Sequence, residues 1–218
     1  KEYCPNSYAT SKNFFKLVLF EVFYLIKNYK QNSINIMNHQ KFTDNIPTLY
    51  YFLHNITKFL KKSDIKSLVD LGCGGGRSIY FFNKKLAINY YGVEYQKEIY
   101  NNCKRLFIKF DNIKIYNDDF MSYKFLNFNP DCFFINDPLK NKEDFDNLII
   151  NIIDTNNKLK KIIYFVLINV DESKREIFSK YKSIDSFKYK SKGYYIYSNE
   201  KILWKFHTQK KLKTVYCA

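Results

Sequence analysis

The chain has 218 residues, enough for one domain with a single sizeable core. Six glycines and four prolines exclude collagen, flexible linkers and proline-rich disorder, and 46% hydrophobic with 19% aromatic residues describe a globular chain. The formal charge of +15 admits nucleic acid or an acidic protein as a partner, yet only three of the 36 basic residues are arginine, which leaves 33 lysines. Bidentate recognition of bases and phosphates favours arginine. The lysine excess is therefore read first as a composition bias that also enriches Asn, Ile, Tyr and Phe.

Cys4, Cys73, Cys103, Cys132 and Cys217 are scattered, with no C-x-x-C pair, and His39, His54 and His207 lie far apart. This pattern argues against a metal site and a disulfide framework, and for a reducing, cytoplasmic compartment. The longest apolar stretch, residues 14–26, is broken by Lys16 and Glu21 and falls short of the about 20 residues a bilayer requires. No membrane span is expected, and without a following small-residue cleavage site no signal peptide is expected either.

In chain order, residues 13–30 are expected as a helix apolar on more than one face, lying over the functional cleft or forming an oligomer contact. Residues 31–45 are polar and Asn-rich, and read as a loop. Pro47 opens a second helix to about Lys62, with Leu49, Phe52, Leu53, Ile56, Phe59 and Leu60 at helical spacing. Strands and helices then alternate. Strands are expected at 67–71, 89–94, 113–116, 131–135 and 162–170, the last central, and helices at 77–85, 96–110 and 143–157. Residues 184–190 and 194–205 read as two strands joined near Gly193. Alternation of this kind implies βαβ crossovers and a parallel sheet covered on both faces, here closed by an antiparallel hairpin.

Gly72, Gly74, Gly75 and Gly76 concentrate most of a scarce residue in one place, directly after a strand and opening a helix. A glycine-rich turn there lets backbone approach a ligand closely, and the helix start offers free N–H groups. The dinucleotide pattern G-x-G-x-x-G fails because its third position is Arg77. The glycines instead spell G-x-G-x-G behind Asp70. Glu94 ends the next strand 24 residues after Asp70, in Gly92-Val93-Glu94, where a carboxylate can accept from ribose hydroxyls. Asp118-Asp119-Phe120 follows the third strand, and Asn136-Asp137-Pro138-Leu139 the fourth.

With these four motifs in order, the sequence resembles the class I (Rossmann-like) S-adenosylmethionine-dependent methyltransferases over about residues 45–200. The resemblance implies an α/β fold: a doubly wound, mostly parallel, seven-stranded sheet with a C-terminal antiparallel hairpin. Residues 1–45 would be a helical N-terminal extension or lid, and residues 46–218 the cofactor-binding domain. S-adenosylmethionine would be the cofactor and S-adenosylhomocysteine its product. Asp70, Gly72, Cys73, Gly74 and Gly76 would line the methionine end, and Glu94 would take the ribose. Tyr95, Asp119 and Phe120 would surround the adenine. Asn136 and Asp137 are the candidate catalytic residues, and no metal is implied. Five of the six glycines, Gly92 included, would owe their places to this one ligand.

The methyl acceptor stays open. The Asn136–Leu139 turn is similar to that of amine and amide methyltransferases, but lacks the second proline and the aromatic residue. A histone-lysine type and a ribose 2′-O type, the latter using Asp137 with Lys174 or Lys188 and Glu200, are alternatives. So is a non-catalytic binding subunit that keeps the fold. A basic tail at 205–213 adds a possible contact with an acidic partner, and the oligomeric state is not readable.

Overall fold

A computed structural model describes residues 15–23, 42–43, 46–189 and 191–201. The ends of the expected first helix, most of the 31–45 loop and the 205–213 tail lie outside the described residues. Within them, residues 15–23 form helix α1, followed by α2 (Tyr50–Lys62), β1 (Ser67–Leu71), α3 (Arg77–Asn83), β2 (Asn89–Glu94) and α4 (Lys97–Phe107). Then come β3 (Ile113–Asn117), β4 (Cys132–Ile135), α5 (Lys142–Lys158), β5 (Tyr164–Ile168), α6 (Glu172–Arg175), β6 (Tyr181–Tyr189) and β7 (Lys192–Lys201).

The seven strands form one sheet in the order β3-β2-β1-β4-β5-β7-β6. Strands β1 to β5 run parallel, whereas β7 is antiparallel to β5 and β6 antiparallel to β7. This is the doubly wound, mostly parallel sheet with a closing hairpin that the alternation implied. Strands β1 and β4 are wholly buried, as a sheet covered on both faces demands. One face packs on α2, α3 and α4 through residues such as Phe52, Ile56, Ile79, Phe82 and Phe107. The other packs on α5 through Phe145, Leu148 and Ile152.

Several element ends differ from expectation for local reasons. Helix α2 begins at Tyr50 rather than at Pro47, because Leu49 is extended and the Tyr50 N–H donates to the carboxylate of Glu21 from α1. Helices α3 and α4 stop short of 85 and 110, where i→i+3 bonds from Lys85 N to Phe82 O and from Phe110 N to Phe107 O tighten the last turn. Strand β5 is interior, but β4 is the middle strand. Gly193 lies within β7 rather than in the hairpin turn: it faces Lys188, and a Cβ there would meet the Phe187 carbonyl oxygen at 2.7 Å.

Helix α1 lies against α2. Leu17 is buried in the core, and Phe20 packs on Tyr51 and His54 at ring distances of 5.5 and 5.1 Å. Glu21 Oε2 also lies 3.7 Å from the Arg77 guanidinium at the start of α3. The inward residues thus have helical spacing, while Phe15, Leu19 and Phe23 face outward.

Candidate functional site

The sheet order reverses between β1 and β4, and in open α/β sheets a crevice forms at the C-terminal ends of strands at such a switch point. The loops after β1 and β4 meet there. Gly72 stands so close to the β4 loop that a Cβ on it would touch Pro138 Cβ at 3.4 Å. Gly72, Gly74 and Gly76 have φ of +78°, +54° and +79°, a region that L side chains with a Cβ rarely enter. The loop therefore needs glycine at all three places to turn tightly, and the N–H groups of Gly72, Cys73, Gly74 and Gly76 are spent on Val93 O, Val93 O, Glu94 Oε2 and Cys73 O.

Glu94 at the end of β2 reaches across to this loop. Its Oε2 accepts from Gly74 N at 2.9 Å and its Oε1 from Gln96 N at 2.8 Å. Burial raises its carboxyl above the ordinary range, against the lowering effect of these backbone donors. Asp70 lies beneath the loop, 2% exposed, and accepts from the Ser78 hydroxyl at 2.7 Å. Burial pushes its carboxyl up to about 7; the Ser78 hydrogen bond opposes this and the Glu94 charge adds to it. Cys73 is buried beside Cys103, whose hydrogen bond, with burial, drives its thiol well up. A thiol so disposed is a packing group rather than a nucleophile.

A cleft open to solvent runs between these loops. Of the residues singled out from sequence, Gly72, Glu94, Tyr95, Phe120 and Asn136 line it. Asp70, Cys73, Gly74 and Gly76 form the layer behind. Asp119 is elsewhere engaged: its Oδ1 accepts from Met121 N at 2.8 Å and caps the turn carrying Phe120. Gly76 and Gly92 have packing reasons of their own. A Cβ on Gly76 would stand 2.5 Å from Phe107 Cε2, and one on Gly92 2.8 Å from Cys73 Sγ. Gly76→Ala should therefore lower unfolding free energy by about 2 kcal/mol, combining left-handed strain with displacement of Phe107; the midpoint in a urea titration checks this.

The turn after β4 divides its side chains. Asn136 faces the cleft, with Nδ2 donating to Ile46 O at 2.6 Å and Oδ1 accepting from Asn169 Nδ2 at 3.3 Å. Asp137, at φ +36°, aims its carboxylate at Lys174. Lys174 Nζ donates to Asp137 Oδ1 at 2.6 Å and to Leu139 O at 2.7 Å, and lies 3.8 Å from Asp171 Oδ2. Burial raises the Asp137 carboxyl, and this outweighs the lowering by Lys174. Glu200 does not join this pair. Tyr164 at the start of β5 faces Ser198, so Glu200 is at the opposite end of the strands from the switch-point loops, where Lys182 Nζ meets it at 3.2 Å. The set considered for ribose 2′-O transfer, Asp137 with Lys174 or Lys188 and Glu200, is thus not assembled around Glu200.

Sequence reasoning named Lys174 only as one of two lysines that could accompany Asp137, and did not foresee the four-residue α6 that carries it. Phe42 and Thr43, inside the stretch read as loop, line the cleft, whereas no described residue of α1 does. Among the described residues no cluster of His, Cys, Asp and Glu could hold a metal, and no helix is long and apolar enough to cross a membrane.

No protein-family model matches this sequence, and no curated protein matches it. Solved structures do. An RNA methyltransferase from Salinibacter ruber, in complex with S-adenosyl-L-homocysteine, superposes with a TM-score of 0.55 at 10% identity, over 77% of this chain and 99% of that one. The N-methyltransferase NodS from Bradyrhizobium japonicum WM9 gives 0.52 at 7% identity, over 68% and 97%. A methyltransferase from Geobacter sulfurreducens gives 0.51 at 9% identity, over 67% and 76%. At these identities the likeness concerns the fold. Together with the strand order, the closing antiparallel hairpin and the cleft at the switch point, it establishes that this chain has the class I methyltransferase fold.

Proposed function

We propose that the chain binds S-adenosylmethionine in this cleft and transfers its methyl group to an acceptor. The observation that carries the reading is Glu94. A carboxylate only 7% exposed is held at the cleft wall by the N–H groups of Gly74 and Gln96. With Tyr95 as a third backbone donor, the carboxylate still has acceptor capacity left from its roughly four lone-pair sites, which suits a ribose hydroxyl. The surrounding groups fit the rest of such a cofactor. Gly72 presents bare backbone where a side chain would press on Pro138. Asp70 supplies a buried acid beneath the loop for an ammonium, and Tyr95 and Phe120 supply aromatic faces for a base.

When bound, the cofactor supplies a sulfonium methyl that any aligned nucleophile can take. The protein's own work is to orient donor and acceptor and to exclude water. Asn136 is the polar side chain of the β4 turn that faces the cleft, and we assign it to the acceptor side. Asp137, its carboxylate turned to Lys174, shapes the turn in this reading. An RNA acceptor is the class that the Salinibacter ruber protein and the +15 charge together bring forward. The same fold would serve an N-methyl acceptor equally, as in NodS.

Calorimetric titration with S-adenosylmethionine and S-adenosylhomocysteine tests the reading. Glu94→Ala should weaken binding by about 1.5–3 kcal/mol, the value of hydrogen bonds to a charged group. A wild-type protein with no affinity for either compound would remove both the enzyme reading and the cofactor site.

A further inference from the structure

Phe42 and Thr43 occupy both halves of the cleft at once. Phe42 forms an isolated antiparallel bridge with Leu139, and its ring lies against both Tyr95 and Phe120. The centroid distances are 5.2 and 5.4 Å, with inclinations of 44° and 62°. A planar base held between two rings needs about 3.5 Å on each face, hence about 7 Å between the flanking rings. Neither gap beside Phe42 reaches that. The phenyl ring stands where an adenine would meet the faces of Tyr95 and Phe120.

The next residue is spent on the acceptor side. Thr43 N donates to Pro138 O at 3.1 Å, and the Thr43 hydroxyl donates to Asp137 O at 2.5 Å. The carbonyls of Asp137 and Pro138 in the β4 turn thereby have donors, and Asn136 Nδ2 is already committed to Ile46 O. The Phe42 backbone is tied to Leu139 by the bridge and adjacent Cα atoms are only about 3.8 Å apart, so a displacement that carries the Phe42 backbone draws Thr43 along.

We propose that Phe42 and Thr43 are positioning residues that stand in for the two ligands, Phe42 for the adenine and Thr43 for the acceptor's hydrogen-bond donor. Cofactor entry displaces Phe42 together with its backbone, parting the bridge to Leu139, and the same displacement withdraws Thr43 from the carbonyls of Asp137 and Pro138. The acceptor half of the cleft then opens only after the cofactor is in place, which imposes an order on binding. This rests on the cofactor reading given above, and extends it to residues that no sequence motif marks.

The affinity for S-adenosylhomocysteine, measured by calorimetry, separates the two. Removing a stand-in raises affinity by the inverse of the competent fraction, so Phe42→Ala should bind about tenfold tighter if the occupied arrangement holds ~90% of the molecules. Glu94→Ala should bind more weakly in the same series. Unchanged or weaker binding by Phe42→Ala beside weakened Glu94→Ala overturns the proposal and leaves the cofactor site standing. No binding by any variant or the wild type overturns both. A measurement on the unaltered protein guards against a misfolded variant. On saturation with S-adenosylhomocysteine, the peptide carrying Thr43 should exchange amide hydrogen faster, while the 72–76 loop slows. Slower exchange at Thr43 would mean that these residues close on the cofactor instead of yielding to it, and would overturn the proposal.

Discussion

Lys174→Ala is expected to lower the unfolding free energy by about 3 kcal/mol, the lower end for a buried ion pair broken from one side. The side chain is 6% exposed and the Asp137 carboxylate it meets 23% exposed, so little solvent is at hand to replace the ammonium. Its loss also leaves the carbonyl of fully buried Leu139 without this donor. Asp137 holds a positive φ, which a non-glycine residue keeps only where its surroundings dictate it. Lys174 is that dictate, reaching the turn from 37 residues away. Because burial already raises the Asp137 carboxyl, it should take up a proton once its partner is gone. The damage should therefore be partly relieved by Asp137→Asn, which needs no counter-charge and tolerates the left-handed region. A double-mutant cycle with Lys174→Met and Asp137→Asn should return a coupling well above the scatter expected for independent sites, about 0.3–0.5 kcal/mol. Additive effects would show that the two groups are neighbours without being partners.

What the sequence discloses here is what is local to it. The run Ser67–Leu71 into Gly72–Gly76 carries strand, turn and helix start in ten consecutive residues, and the structure has each of them in place. Glu94 is legible for the same reason, as the last residue of a short strand. The contact of Asp137 with Lys174 is legible only in part, since the two can be named together but nothing in either neighbourhood decides between Lys174 and Lys188 among 33 lysines. Phe42 was hidden by its setting, one aromatic residue in a polar stretch, visible only once Leu139 is seen to pair with it. The glycines misled in a more instructive way. Scarcity pointed correctly to the loop, but Gly76 and Gly92 are also required by Phe107, Cys103, Cys73 and Ile115. A residue chosen for the absence of a Cβ does not say which neighbour needs the space.

The titration of Asp70 gives the second large effect, and its sign follows from the folded state. The carboxyl sits at about 7 in the folded protein against an ordinary value of 3.8, so folding favours the protonated form. Its contribution to stability is complete below about pH 4, declines as pH rises toward 7, and is gone above it. A gap of about three units corresponds to about 4 kcal/mol over that window. Glu94 is also raised by burial and adds a slope of the same sign, so the informative quantity is a difference. Unfolding free energies of wild type and Asp70→Asn, followed from pH 4 to 8, should diverge by several kcal/mol in favour of the variant as pH rises. A constant difference would mean that Asp70 ionises freely in the fold. A bound cation reverses the cost, because the ammonium of a methionine end gives the carboxylate a partner where Ser78 offers only a hydroxyl. Affinity for S-adenosylhomocysteine should accordingly rise between about pH 6 and 8, by up to tenfold per unit below the Asp70 transition, and Asp70→Asn should flatten that rise. The same buried acid would then oppose the empty fold at neutral pH and favour the filled one, which ties the stability of the glycine loop to its occupancy.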